Sequence, residues 1–212
     1  MVSEIRLYVE GGGEGSQTKA IVREGFQRFL QDIVRIARSR KVRWQIVACG
    51  PRQAAFENFL LALETHPEAF NVLLVDSEGP VNHGPKEYLK SRDRWNLPDI
   101  GAEHYHLMVQ MMEAWLVADR AALSRFYGQG FNVNAIPRNP NVEQIAKPDL
   151  ESALKEATRH TAKGAYHKIH HGPKILGQLD VPRVRSAAPH CDRLFTTLAD
   201  RIERPDEPQR SS

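Results

Sequence analysis

Two acid-tipped stretches carry the chemistry that this sequence can offer. The first is Leu7-Tyr8-Val9-Glu10, which runs into Gly11-Gly12-Gly13 and a further carboxylate, Glu14. The second is Val72-Leu73-Leu74-Val75-Asp76-Ser77-Glu78-Gly79. Each is a short apolar run ending in acid and glycine, the pattern of a buried strand that delivers a side chain to the rim of a sheet. Carboxylates brought together repel one another, and one of them holds its proton unless a cation lies between them. Hard oxygen donors of this kind suit Mg²⁺ or Mn²⁺. A phosphate cradle is the rival use of a glycine run, but neither standard form fits. Lys19 follows Thr18 without the glycine that G-x-x-x-x-G-K-[ST] requires, and the G-x-G-x-x-G spacing fails after Gly15. A flexible turn with solvated acids is the plainer alternative.

For the acids to meet, their strands must be neighbours. Ligands of open α/β sheets bind beyond the carboxyl ends of the strands, and in the doubly wound order 2-1-3 the first and third strands lie side by side. Periodicity supplies the elements. Strands are expected over 5–9, 44–48, 71–76 and 104–110. Val22, Phe26, Phe29, Ile33 and Ile36 fall on a spacing that predicts one amphipathic helix over 18–39. A helix is expected over 53–64, an irregular stretch over 78–103, a helix from 111 to 126, a loop over 131–148, and helices over 150–159 and 188–202. The expected architecture is α/β: a Rossmann-like, mostly parallel central sheet with helices on both faces over 1–130, a helical C-terminal extension over 131–203 packed on it, and a disordered tail over 204–212.

Other charged residues are candidates for the same site. Glu113 falls just past the fourth strand, where it adds a carboxylate to the cluster or simply favours a helix start. The irregular stretch carries Lys86, Lys90 and Arg92 beside Tyr88 and Trp95, a mixture that can track a nucleic-acid backbone and stack bases. The stretch from Lys163 to Lys174 is the most basic. Lys168 there is a candidate phosphate clamp, and Lys163, His170 and Lys174 are candidate nucleic-acid contacts. A solvated basic helix is the plainer reading, and zinc at His167, His170 and His171 lacks supporting cysteines.

The 212 residues, 41% of them hydrophobic, suffice for one domain with a small appendage. A net charge of +3 permits nucleic acid without demanding it. Cys49 and Cys191 have no metal-ligand spacing, and reduced thiols point to the cytoplasm. Neither a leader nor an apolar run long enough for a bilayer is expected.

Val9-Glu10-Gly11-x-x-Glu14 resembles the V-E-G-x-x-E opening of the Toprim domain in overcoming-lysogenization-defect (OLD) type nucleases, and Asp76-x-Glu78 resembles the Toprim D-x-D with Glu in second place. Met112-Glu113-Ala114-Trp115, and Tyr166-His167-Lys168 with Leu176, are similar to a bacterial domain-of-unknown-function family, number 4276, grouped with Toprim-like proteins. The resemblance covers about residues 3–200. It implies a Toprim-like fold and Mg²⁺-dependent phosphodiester hydrolysis. Glu10, Asp76 and Glu78 would hold metal and Glu14 a second ion. It also implies an ATPase partner of AAA or ABC type in an anti-phage system. A nuclease acting on DNA ahead of RNA is the expected function, with Lys168 stabilising charge. A catalytically silent subunit that binds an ATPase or nucleic acid is the alternative, and a small-phosphoester hydrolase the third reading.

Overall fold

The computed structural model describes residues 2–203; the tail expected over 204–212 lies outside them. Strands β1 (Glu4–Glu10), β2 (Arg43–Gly50), β3 (Phe70–Asp76) and β4 (Tyr105–Met108) form one all-parallel sheet in the order β2-β1-β3-β4. The first and third strands are therefore neighbours, with Leu7 opposite Val72 and Val9 opposite Leu74. That register carries Glu10 and Asp76 to the same edge. β3 is buried at every position, as a central parallel strand covered on both faces must be. Alternate side chains feed two cores. Ile5, Leu7, Val9, Val72 and Leu74 belong to one, and Tyr8, Leu73, Val75 and Leu107 to the other.

Ten helices among the described residues join and cover the strands: α1 (Ser16–Phe29), α2 (Gln31–Ser39), α3 (Arg52–Thr65), α4 (Pro85–Asp93), α5 (Met112–Ala118), α6 (Arg120–Tyr127), α7 (Lys147–Thr158), α8 (Gly172–Leu176), α9 (Val181–Ala187) and α10 (Pro189–Glu203). On one face α3 and α4 present Phe56, Phe59 and Leu89. On the other, a single apolar cluster runs from Ile5 to Ile202, so the C-terminal helices share a core with β1 and β3. Trp115 of α5 stacks on Phe29 at 5.5 Å and meets Phe26 edge-on at 6.5 Å, which fixes the start of α5 against the sheet. Among the described residues no helix is long and apolar enough to cross a membrane.

Several elements differ from the expectation. The helix over 18–39 is two helices, broken at Leu30 (φ −92°, ψ 16°); Leu30 is itself buried, so the apolar pattern passes through the joint unbroken. The stretch over 78–103 contains α4, in which only Pro85 and Leu89 are buried, too few for a periodic signal. The helix over 111–126 divides at Asp119, whose carboxylate accepts the Ala122 N–H and caps α6. β4 ends at Met108 rather than 110. The basic stretch is not one helix but turns leading into α8. α8 lies directly on α1, because a Cβ at Gly25 would stand 2.3 Å from the Pro173 carbonyl oxygen.

Candidate metal centre

Glu10 closes β1 and Asp76 closes β3, and the parallel register aims both at one edge. Glu78 follows two residues later in a left-handed backbone conformation, φ 66°. A residue other than glycine is uncommon there and is held by its surroundings; the Glu78 N–H donates to the Gln110 carbonyl at 2.7 Å. One oxygen from each of Glu10, Asp76 and Glu78 lies within 4.8 Å of the others. The Asp76 N–H donates to Glu10 Oε2 at 3.1 Å. Asp76 Oδ1 accepts the Met112 N–H at 2.8 Å, and Oδ2 accepts from Lys168 Nζ at 3.0 Å. Lys168 thus faces the acids, as its sequence context suggests.

A family model described as a domain of unknown function, DUF4276, matches residues 9–199. The chain belongs to that family. No curated protein and no solved structure matches it. The stretch matched to the DUF4276 model takes in every residue of the site from Glu10 to Lys168.

Two expected ligands stand apart from the three. Gly11, Gly12 and Gly13 have φ of 136°, 91° and 57°, values that glycine alone adopts freely. Gly11 exchanges both backbone hydrogen bonds with Gly50, at 2.8 and 3.0 Å. The chain is turned off the sheet edge at once, and Glu14 ends exposed. Glu113 lies in the first turn of α5, buried, with Oε1 accepting from the Tyr166 hydroxyl at 2.7 Å. Its Oε2 has no hydrogen-bond partner among the described residues and faces Lys168 Nζ at 3.8 Å. The Lys168 ammonium therefore reaches both Asp76 and Glu113.

Each of the three converging carboxylates is matched by a cation of the chain. Lys168 pairs with Asp76, Lys147 with Glu78, and Arg52 reaches Glu10 at 3.4 Å. Arg52 is forked onto Asp93 at 3.0 and 2.7 Å and also donates to the Asp76 carbonyl. Burial, then repulsion from Asp76, pushes the Glu10 carboxyl up to about 7 against the pull of Arg52. Burial also raises Glu113, with Lys168 opposing. At Glu78 burial is outweighed by the Lys147 hydrogen bond, which lowers it. Burial likewise works against the Lys168 ammonium, but Asp76 and Glu113 outweigh it and hold it above the usual lysine range. The donor set fits a hard divalent cation. It is all carboxylate oxygen, and the crowding that raises Glu10 is what a doubly positive charge relieves.

Sequence reasoning missed Arg52 and Lys147, which open α3 and α7. Both are cations at helix N-termini, where the helix dipole disfavours them, and that misplacement is the signal that could have found them. Among the expected nucleic-acid contacts, Lys86 is spent inside the protein. Its ammonium donates to the Ile100 carbonyl at 2.6 Å and sits 5.9 Å from the Tyr105 ring centre, so it pins the loop instead. Arg92 pairs with Asp93 at 2.5 Å, and Lys90 is exposed. Lys163 lies over the Phe126 ring and Lys174 lines a separate cavity beside Phe126; His170 is exposed. His167, His170 and His171 form no metal-holding group among the described residues.

Proposed function

We propose that this chain is a Mg²⁺- or Mn²⁺-dependent nuclease of Toprim type. The carrying observation is the convergence of Glu10, Asp76 and Glu78 at the carboxyl ends of adjacent parallel strands. A divalent cation held by those three carboxylates would polarise a phosphodiester and supply a nucleophilic water at neutral pH. The chain's own groups do the rest. The Met112 N–H and the Asp76 N–H orient the carboxylates of Asp76 and Glu10. Lys168, half-exposed at the mouth of the site, exchanges Asp76 for a phosphate oxygen and neutralises charge as it develops. Arg52 and Lys147 hold Glu10 and Glu78 in register.

DNA is the substrate placed ahead of RNA, and an ATPase of AAA or ABC type the partner, both from the resemblance to OLD nucleases. Buried, unpaired Cys49 and Cys191 support a cytoplasmic setting. The second reading, a catalytically silent subunit, draws on one observation: every converging carboxylate already has a protein cation. Incubation of supercoiled plasmid with the purified chain separates the two. Cleavage that needs Mg²⁺ or Mn²⁺, stops with EDTA and is lost in Asp76→Asn supports the nuclease. Intact plasmid under all metals removes it.

A further inference from the structure

A cavity of about 220 Å³ opens directly beside the acids. Its walls are the side chains of Val22, Met108, Met112, Ile169 and Pro173 and the bare backbone of Gly11, Gly12 and Gly13. The charged residues that reach it are Glu10, Asp76 and Lys168, all belonging to the metal centre. Among the described residues Lys168 is the cation that lines it, on the side of the acids, and the rest of the wall is apolar side chain and backbone. Whatever enters the apolar part is therefore uncharged and is attached to the phosphate that Lys168 holds. The volume falls below the roughly 300–1,000 Å³ of pockets that take drug-sized ligands, so the guest is one ring system. Two methionine thioethers suit a flat aromatic face, since sulfur packs favourably against rings and the unbranched side chain adjusts to different ones.

We infer that this cavity is a nucleobase subsite, so that the phosphodiester is presented with its adjoining base out of the stack. This rests on the nuclease reading for the phosphate and adds the substrate class: single strands, frayed ends and flipped nucleotides, not the interior of an intact duplex. A base inside a duplex must first be extruded, at a cost that unpaired bases avoid.

The test is methyl NMR on the full chain labelled with ¹³C at the methionine methyls, with EDTA and again with Mg²⁺. Two probes are compared, deoxyadenosine 5′-monophosphate and 2-deoxyribose 5-phosphate, which share the phosphate and differ by the base. The nucleotide should shift the Met108 and Met112 methyls through its ring current, leave fully buried Met111 unmoved, and outperform the sugar phosphate. Ile169→Trp, which fills the cavity from a half-buried position, should weaken nucleotide binding about tenfold, the equivalent of about 1.4 kcal/mol, with the melting temperature showing that it folds. Equal shifts from both probes, or none from either, overturn the subsite. If the shifts appear but no nucleic acid is cleaved, the subsite stands and the nuclease reading falls. If Mg²⁺-dependent cleavage is seen without base-dependent shifts, the reverse holds.

Discussion

The acid side and the cation side of the site are built differently. Glu10 and Asp76 terminate strands whose residues are locked by the ladder and by a core on each face. Arg52 and Lys147 stand at helix starts, and Lys168 rides on the turns before α8. Carboxylates fixed to a sheet cannot retreat from one another, so their repulsion is stored in the native state. Lys168, half-exposed, can swing away at little cost, since such an ion pair is worth little net, whereas Arg52 is largely buried and forked onto Asp93. Exchange of partners, protein cation for metal or for phosphate, then needs no movement of the sheet.

Asp76→Asn strikes the fixed side and should have the largest effect. Cleavage should fall by about a thousandfold or more, the upper range for loss of one preorganised electrostatic group. Metal at about a hundred times its dissociation constant adds roughly 2.7 kcal/mol to wild type, or about 5–10 °C in a chain of this length. That rise should vanish in the variant, as scanning fluorimetry with EDTA and Mg²⁺ would reveal. Lys168→Ala strikes the mobile side. Cleavage should drop about a hundredfold, and the metal-free protein should lose about 1–2 kcal/mol, discounted from a buried pair because Lys168 is half-exposed. Mg²⁺ should restore that loss, so the variant's metal-induced shift should exceed the wild-type one. A smaller shift would mean that the lysine assists metal binding, and the contrast drawn above would fail.

The burial of Glu10, with repulsion from Asp76 added to it, should also be visible as a pH slope. Glu10 keeps its proton to about 7 in the native state, against about 4.5 in the unfolded chain. Between those values the native state binds more protons, so metal-free stability should fall as pH rises, by on the order of 2–3 kcal/mol. Glu78, lowered by Lys147, acts in the opposite sense and below about 4.5, where stability is lost as pH falls through its native value. Chemical denaturation from pH 4 to 8 with EDTA should show the falling limb, and saturating Mg²⁺ should abolish it. A flat profile in EDTA would mean that the acids are not strained. The smallest effect is expected from Tyr166→Phe. It strips Glu113 Oε1 of the Tyr166 hydroxyl donor, beside an Oε2 with no hydrogen-bond partner among the described residues, at about 1–2 kcal/mol in a melt.

The strands and their acids were readable because apolar runs ending in carboxylates leave a local trace, and the first and third strands are adjacent as the 2-1-3 order requires. Glu14 joins them in the sequence through the V-E-G-x-x-E resemblance, and Glu113 through its place just past the fourth strand. The glycine turn and the Tyr166 hydrogen bond, both three-dimensional facts, set them apart. Lys168 was legible as a basic residue near an acidic site. Arg52 and Lys147 carry no period, and only their place as cations at helix starts marks them. The break at Leu30 and the sparse α4 escaped for the same reason: periodicity reports a buried stripe, not where a backbone bends or where the stripe thins to two residues.

Asp76 and Lys168 lie 92 residues apart in the chain. At roughly 5–20 residues per second of synthesis, the acids are made about 5–20 s before the lysine that neutralises Asp76. Arg52, made earlier, can already meet Glu10, but the Asp76 carboxylate lacks its lysine until the turns before α8 arrive and Gly25 lets Pro173 settle against α1. On the ribosome, the order of translation itself keeps the site open and unassembled until nearly the whole described chain is available to close it.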